Sequence, residues 1–498
     1  MRRIGILFIL FYFFILKFSF SQCNSGETEV NFVVHSTFYN QWVVINDPWG
    51  STFAWWNPSP GPQQYWVNDV SCYQQGCYTV YFGGGSPEIY VHQDGMLVDS
   101  ITVSGQQMCI PYTLGCTDSL ALNYDSNASL DDGSCNYQMT YVPDDNFEQA
   151  LINLGYDNVL DDSVLTANIN TVTSLQIGGW GIFDLTGIED FIALTFLECP
   201  ANNLTTLDLS NNTALTYLNC GDDIDGGNQL TILDLSHNIS LTHLECEDNQ
   251  LTSLNISNNT FLTFLTCRNN QLTSLDVSNN TALTEFNCES NQLAALDVSQ
   301  NISLTNLICG YNQQLTSLDV SNNTALINLN CYNNQLTSLD VSNNTALTGL
   351  YCYNNQLTSL DVSNNTALEK LWCNDNQLTS LDVSNNTALT NLYCYNNQLT
   401  SLDVSNNTAL INLMCYNNQL TSLDVSNNTA LTSLYCYNNQ LTALDIRNGN
   451  NMLIAFFSAI NNPNLSCISV DDAAWSAANW TNIDPSSSFG ITCSPESG

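Results

Sequence analysis

Twelve cysteines recur along this chain at Cys199, Cys220, Cys246, Cys267, Cys288, Cys309, Cys331, Cys352, Cys373, Cys394, Cys415 and Cys436, and nine of the eleven gaps are 21 residues. Thiols at a fixed period can pair as disulfides, hold a soft metal as thiolates, or fill a core. Stacked rung upon rung, their Cα atoms would lie about 4.8 Å apart. That is within disulfide range, but the Cβ vectors of stacked positions run parallel, which suits the bond badly. A column of small buried apolar residues is expected instead, with metal-bound thiolates the least expected reading for a dry core. Carboxylates form a second column: Asp208, Asp234, Asp276, Asp297, Asp319, Asp340, Asp361, Asp382, Asp403, Asp424 and Asp445, with Asn255 as the exception. Adjacent carboxylates roughly 5 Å apart repel by ~1 kcal/mol or more. Salt, divalent cations or hydrogen bonds from neighbouring serines must relieve that repulsion, and high salt or calcium is expected to stabilise the array.

Residues beside each cysteine would face outward from an alternating strand. In the first half they are mixed: Glu198, Asn219, Glu245, Thr266 and Asn287. In the second half they are aromatic. One column runs Tyr351, Trp372, Tyr393, Met414, Tyr435, and its neighbour runs Tyr332, Tyr353, Asn374, Tyr395, Tyr416, Tyr437. Two such lanes form an exposed apolar patch rimmed by Asn and Gln, and patches of that kind mark binding sites. The plainer alternative is a copied tyrosine that fits a β-surface and stacks on itself. A third cluster, Asp118, Asp125, Asn127, Asp131 and Asp132, crowds hard oxygens into a short loop. Calcium takes six to eight such ligands and is the candidate ion there. The spacing is not that of an EF-hand, and solvated acids on a stapled linker are the alternative.

The composition excludes whole classes of function. There are 46 acidic residues against 6 basic ones, a formal charge of −40. Arg2, Arg3 and Lys17 lie in the first twenty residues, so only Arg268, Lys370 and Arg447 remain beyond them. Such a chain cannot neutralise phosphates, which excludes nucleic acid and anionic membrane surfaces as partners. Four histidines, His35, His92, His237 and His243, are a poor supply of general bases. No Ser/His/Asp order, H-E-x-x-H or phosphate loop appears, and the carboxylates follow the repeat. The chain is not read as an enzyme.

The period dictates the element that carries these residues. The unit is L-T-S-L-D-V-S-N-N-T-A-L-T-x-L-x-C-Y-N-N-Q, with a 26-residue gap around Gly221–Gly227 and a 22-residue gap near Gln313. This is a leucine-rich-repeat pattern. In Leu392-Tyr393-Cys394-Tyr395 the Leu and Cys point inward and the tyrosines outward. Asn397, three residues after the cysteine, can satisfy backbone groups of adjacent rungs. Leu402-Asp403-Val404-Ser405 alternates again on the opposite side, and nothing in the unit has helical period. A flattened coil with a parallel strand on each side is expected, its N-N-T triplets serving as turn residues rather than glycosylation sites.

The fold class is therefore mainly β: a leucine-rich-repeat solenoid of about twelve repeats, with a helical N-terminal cap and a disulfide-closed C-terminal cap, preceded by a small all-β sandwich. Residues 1–21 read as a secretory signal peptide, two arginines followed by a 13-residue apolar run too short for a span. Residues 22–113 alternate and are rich in Trp and Tyr, as in a β-sandwich. Trp42, Trp49, Trp55, Trp56 and Trp66 would include some core residues and could offer a sugar-stacking face. Cys72 and Cys77 are the expected local bridge. Residues 114–137 form an acidic unit stapled by Cys116–Cys135, too small for a core of its own. Residues 138–198 hold the cap and degenerate repeats. Asp145 is read as helix N-cap with Glu148 completing a capping box and Gly155 ending the helix. Residues 199–446 are the array, and 447–498 the C-terminal cap closed by Cys467–Cys493. No membrane insertion is expected once the signal is removed, and the disulfides imply an oxidising compartment.

The G-C-T-D…A-L-N-Y…D-D-G-S-C unit, the V-P-D-D-N-F-E-Q-A-L entry, the L-T-S-L-D-V-S-N-N-T-A-L array and the L-S-C-I-S-V-D-D-A-A-W-S-A-A-N-W cap together resemble the secreted internalin-type leucine-rich-repeat surface proteins of Bacteroidetes. The resemblance spans roughly residues 114–498. It implies a secreted or surface-attached, extracellular, non-catalytic recognition or adhesion protein whose repeat arc binds a protein. The second reading is a carbohydrate-binding surface protein that uses the aromatic lanes and the N-terminal tryptophans on an extracellular glycan.

Overall fold

The computed structural model describes residues 114–221 and 227–493 in full, and between residues 27 and 110 the backbone of eight strands. The signal segment 1–21, the bridge between Cys72 and Cys77, and the N-terminal tryptophan side chains lie outside the described residues. Two compact units meet in sequence at Gln138 and Met139. In the first, the strands pair antiparallel as two four-stranded sheets. One holds Gln63–Gln74, Glu27–Ser36, Glu88–Gln93 and Met96–Ile101, and the other Thr52–Trp56, Trp42–Asn46, Gly76–Gly83 and Gln106–Ile110. After them, Leu114–Gly115 pairs parallel with Leu130–Asp131, and the Cys116–Cys135 disulfide closes the small acidic loop across 4.8 Å between Cα atoms.

The second unit is the solenoid. Fourteen three-residue strands, from Ser174–Gln176 to Phe456–Ser458, form one continuous parallel sheet. Each strand pairs in register with its copy one rung away, as Leu392 does with Leu413. The array thus extends past the cysteine-marked repeats at both ends. Each rung wraps one layer of core. Leu392, Cys394, Leu399, Val404 and Leu410 are fully buried, and Leu402 nearly so. Leucines from adjacent rungs share that layer, so no rung has a core without its neighbours.

In most of the C-terminal rungs three asparagines organise the turns. Asn396 takes the left-handed conformation (φ 53°), and its counterparts in other rungs do likewise. Asn and Asp tolerate that region better than other side chains. The turn aims Asn397 inward, where its Nδ2 donates to the carbonyls of Cys373, Cys394 and Tyr395 at 3.0, 3.1 and 3.2 Å. Its Oδ1 accepts from Leu378 N–H at 2.9 Å. The third, Asn407 of the N-N-T triplet, is completely buried and donates to the carbonyls of Val383 and Asn386, both at 2.9 Å. The triplet is therefore more than the turn expected of it: half of its asparagine pair is core.

The expected second strand on the opposite side is mostly missing. That side shows isolated bridges, such as Asp297 to Asp319, and one four-stranded sheet at the C-terminal end: Ser422–Asp424, Ala443–Asp445, Cys467–Ser469 and Ser488–Gly490. Each aspartate there uses its carboxylate locally. Asp340 accepts from Ser342 N–H at 2.9 Å, and Asp361, Asp382 and Asp403 repeat the contact. The same Asx turn forms at Asp424 and Asp445, whose rungs do pair along this side, so the turn is compatible with the ladder.

The ends are closed differently. Helix α1 (Asp145–Leu154) begins one residue earlier than the capping box requires: Asp144, not Asp145, is the N-cap. Asp144 Oδ1 accepts from Asn146 and Phe147 N–H, while Oδ2 accepts from Phe183 and Asp184 N–H at 2.7 and 3.0 Å, which ties the helix to the first rungs. Glu148 does not reach back to complete a box. It is buried and accepts the N–H groups of Asp161, Asp162 and Ser163 at 3.0–3.1 Å. Gly155 ends the helix in the left-handed region, as expected. After a one-turn helix α2 (Thr166–Ile169) the rungs begin. At the far end helix α3 (Ala473–Asn479) is capped by Asp472, the Cys467–Cys493 bridge closes the segment, and Trp480 stacks on Phe457 at 4.5 Å over the last rung.

Candidate functional site

The continuous sheet presents three outward columns: the residue before each strand leucine, the residue after it, and the residue after each cysteine. Both predicted lanes lie there. In the first, Tyr351 meets Trp372 edge-on at 5.0 Å between ring centroids, and Trp372 stacks on Tyr393 at 4.9 Å; Tyr435 closes the column beyond Met414. In the second, Tyr332 stacks on Tyr353 at 4.7 Å, and Tyr395, Tyr416 and Tyr437 stack at 4.4 Å spacings. Asn374 interrupts this lane. It is buried, and Trp372 leans toward the gap, 6.2 Å from Tyr353. Trp372 therefore touches both lanes.

The lanes differ from the expected open patch in one respect. The rings are half-buried rather than exposed, because each stacked ring covers the face of the next. Edges and hydroxyls point outward. Tyr332 donates its hydroxyl to Glu289 Oε1 at 2.8 Å, two rungs back. Burial first, and that carboxylate second, raise the Tyr332 phenol above its ordinary value. The indole Nε1 of Trp372 is buried with no hydrogen-bond partner.

A third aromatic run escaped the sequence reading. Phe196, Tyr217, His243 and Phe264 precede the strand leucines of four successive rungs and stack at 4.3, 4.4 and 4.1 Å. Three residue types and a 26-residue gap between two of 21 hide it from a search for one repeated letter. The signal was present in register: each residue sits one place before the strand leucine. Glu245 lies beside this stack and accepts from Tyr217 Oη and His243 Nε2, both at 2.7 Å. The bond from His243 is the largest cause that holds the Glu245 carboxyl below its usual range.

The other predicted groups are occupied by structure. All twelve repeat cysteines are buried and unpaired. Burial pushes the thiols of Cys199, Cys267, Cys309, Cys352 and Cys436 up to about 12. The aspartate column shows no sign that repulsion dominates. Hydrogen bonds from Ser278, Ser299, Ser342 and Ser363 hold Asp276, Asp297, Asp340 and Asp361 below the ordinary carboxylate value. In the stapled loop, Asp118 accepts from Leu120 N–H and Tyr137 Oη, Asp125 from Asn127 N–H and Nδ2, Asp131 from Gly133 N–H, and Asp132 from Ser134 N–H. Each acid serves its own turn. Among the described residues, no group of three or more His, Cys, Asp or Glu is gathered as a metal would need. No helix among them is long and apolar enough to cross a membrane.

A leucine-rich-repeat family model of two copies matches residues 345–386 and 366–407. Internalin J of Listeria monocytogenes serotype 4b is 41% identical over 73 residues, which is 15% of this chain and 8% of that protein. The chain thus matches only a small fraction of that relative's length. Among solved structures, the functional domain of InlJ from Listeria monocytogenes, described as including a cysteine ladder, is 38% identical over 67% of this chain and 76% of that one, with a TM-score of 0.56. The internalin InlF of the same species, at 23% identity and a TM-score of 0.51, covers 71% of this chain and 97% of its own and shares the fold.

Proposed function

This chain belongs to the internalin-type leucine-rich-repeat family, and on that premise we propose that it is an exported, non-catalytic recognition protein that binds a protein partner on the outward columns of its continuous sheet. One observation carries the reading: Tyr and Trp, the residues that dominate protein interfaces, line that sheet over successive rungs, held rigid by mutual stacking. Rings fixed in this way lose little entropy on binding. Export is supported by the signal-like first residues and by the Cys116–Cys135 and Cys467–Cys493 bridges, which persist in oxidising compartments.

The carbohydrate reading is weaker on the same geometry. Sugar stacking requires an open ring face, and most lane faces are covered by the next tyrosine. Edges and hydroxyls remain, and these suit side chains and backbone carbonyls of a polypeptide. The test presents the chain from Gln22 onward to an array of extracellular proteins and, in parallel, to a glycan array. Binding to a protein that is lost in Trp372→Ala/Tyr393→Ala supports the proposal. Binding to a glycan alone, or protein binding untouched by that double variant, refutes it.

A further inference from the structure

The N-terminal ring stack stops at Phe264, because the next rung places Glu285 where another ring would stand. Beside that break the sheet is dented. Thr266, a short side chain between Glu245 and Asn287 in its column, leaves a pocket of about 190 Å³. We propose that this pocket is a socket for one basic side chain, lysine or arginine, of the protein partner; the inference rests on the recognition role proposed above and adds the chemistry of one contact.

The size suits a single side chain better than a drug-sized ligand. Small-molecule clefts begin near ~300 Å³, and this one has the volume of a single long side chain. The walls select the charge. Glu245, Glu247 and Glu285 line it against one cation, Arg268, which is itself paired with Asp248 at 3.2 Å. An anion would meet three carboxylates, while Phe264, Leu265, Phe286 and Ile308 suit the aliphatic stem of a long basic side chain. Phe264 adds a ring at the end of its stack, and a cation over such a ring is attracted by its quadrupole. Glu245 is already fixed by Tyr217, His243 and Asn219, so its carboxylate need not be ordered on binding.

The test uses the whole chain with its histidines isotopically labelled. His243 stacks on Phe264 and reports on the pocket through its ring resonances. The probes are the blocked tripeptides Gly-Arg-Gly and Gly-citrulline-Gly, which share shape and differ in charge. The arginine peptide is expected to shift the His243 signals saturably, and citrulline to bind about tenfold more weakly or worse. Glu285→Gln, on the exposed rim, and Phe264→Leu should each weaken the arginine peptide by about tenfold, whereas Asp340→Asn on the opposite side should not. Equal binding of citrulline, equal loss in Asp340→Asn, or no shift of His243 at all overturns the socket. Failure here with partner capture still dependent on Trp372 and Tyr393 removes the socket and leaves the lanes standing. Loss of capture dependence at the lanes with the peptide still bound does the reverse.

Discussion

Two asparagines of the same rung, changed in the same way, should differ in cost in the direction opposite to their burial. Asn407 is completely buried, and Asn397 is 8% exposed. Replacing either by alanine removes the same atoms, so the cavity contribution largely cancels. The hydrogen bonds do not. Without Asn397, the carbonyls of Cys373, Cys394 and Tyr395 keep partners in Asn376, Asn418 and Asp375 N–H, but Leu378 N–H loses its acceptor. Without Asn407, the carbonyls of Val383 and Asn386 keep the N–H groups of Asn386 and Leu389, so nothing new is stranded. The Asn407 Oδ1, a buried acceptor with no partner, disappears as well. A stranded buried group costs about 1–3 kcal/mol, so one is created in the first variant and one erased in the second. Asn397→Ala should be the less stable of the two by about 2 kcal/mol or more. Urea unfolding followed by circular dichroism measures the difference, and amide exchange at Leu378 localises it. If Asn407→Ala costs as much as Asn397→Ala or more, the accounting by stranded groups is wrong and burial alone governs these columns.

Three further outcomes are expected. The twelve repeat thiols should resist alkylation in the native chain and react only on unfolding, since burial keeps them protonated and covered; native labelling counted by mass spectrometry checks this. The aspartate column should lose stability on acidification. Carboxylates held below their unfolded value contribute fully above about pH 4 and lose that contribution as pH falls through the folded value. Thermal melts between pH 5 and 2 should therefore fall more steeply for the native chain than for Asp319→Asn/Asp340→Asn/Asp361→Asn, whose amides accept the same bonds without titrating, as Asn255 does from Ser257; the opposite order would restore repulsion as the dominant effect. Asp144→Ala removes the shared acceptor of four backbone N–H groups at the helix start and first rungs, and a loss of about 1–2 kcal/mol, as for a lost N-cap, should appear in the same denaturant curves.

The repeat was legible because its physics is periodic. A buried leucine, a buried cysteine and an inward asparagine recur at one spacing, and each needs the same environment in every copy. What was not legible depends on choices between adjacent, chemically equal residues. Asp144 and Asp145 are both good caps, and only the chain's approach to Phe183 decides between them. Asn406 and Asn407 are the same letter, yet one is exposed and the other is core, a difference set by backbone direction. Which rungs pair along the back was not legible either, because the Asx turn is the same where they pair, at Asp424 and Asp445, and where they do not, at Asp403. On the binding face, the tyrosine lanes were visible because they repeat, while the stack ending at Phe264 was not, because it is built from Phe, Tyr and His at uneven intervals.

Strand pairing joins each position to its own copy in the next rung, and the asparagine bonds recur at fixed offsets, so inserting or deleting one 21-residue rung leaves these contact types unchanged. Length is then a free variable of this molecule in a way that the sequence of a globular core never is. The segments that cannot be copied are the two ends, clamped by Asp144 and by Cys467–Cys493. Between them, unequal recombination in the gene could stretch or shorten the reach of the tyrosine lanes one ring at a time, and related chains should differ by whole multiples of a rung.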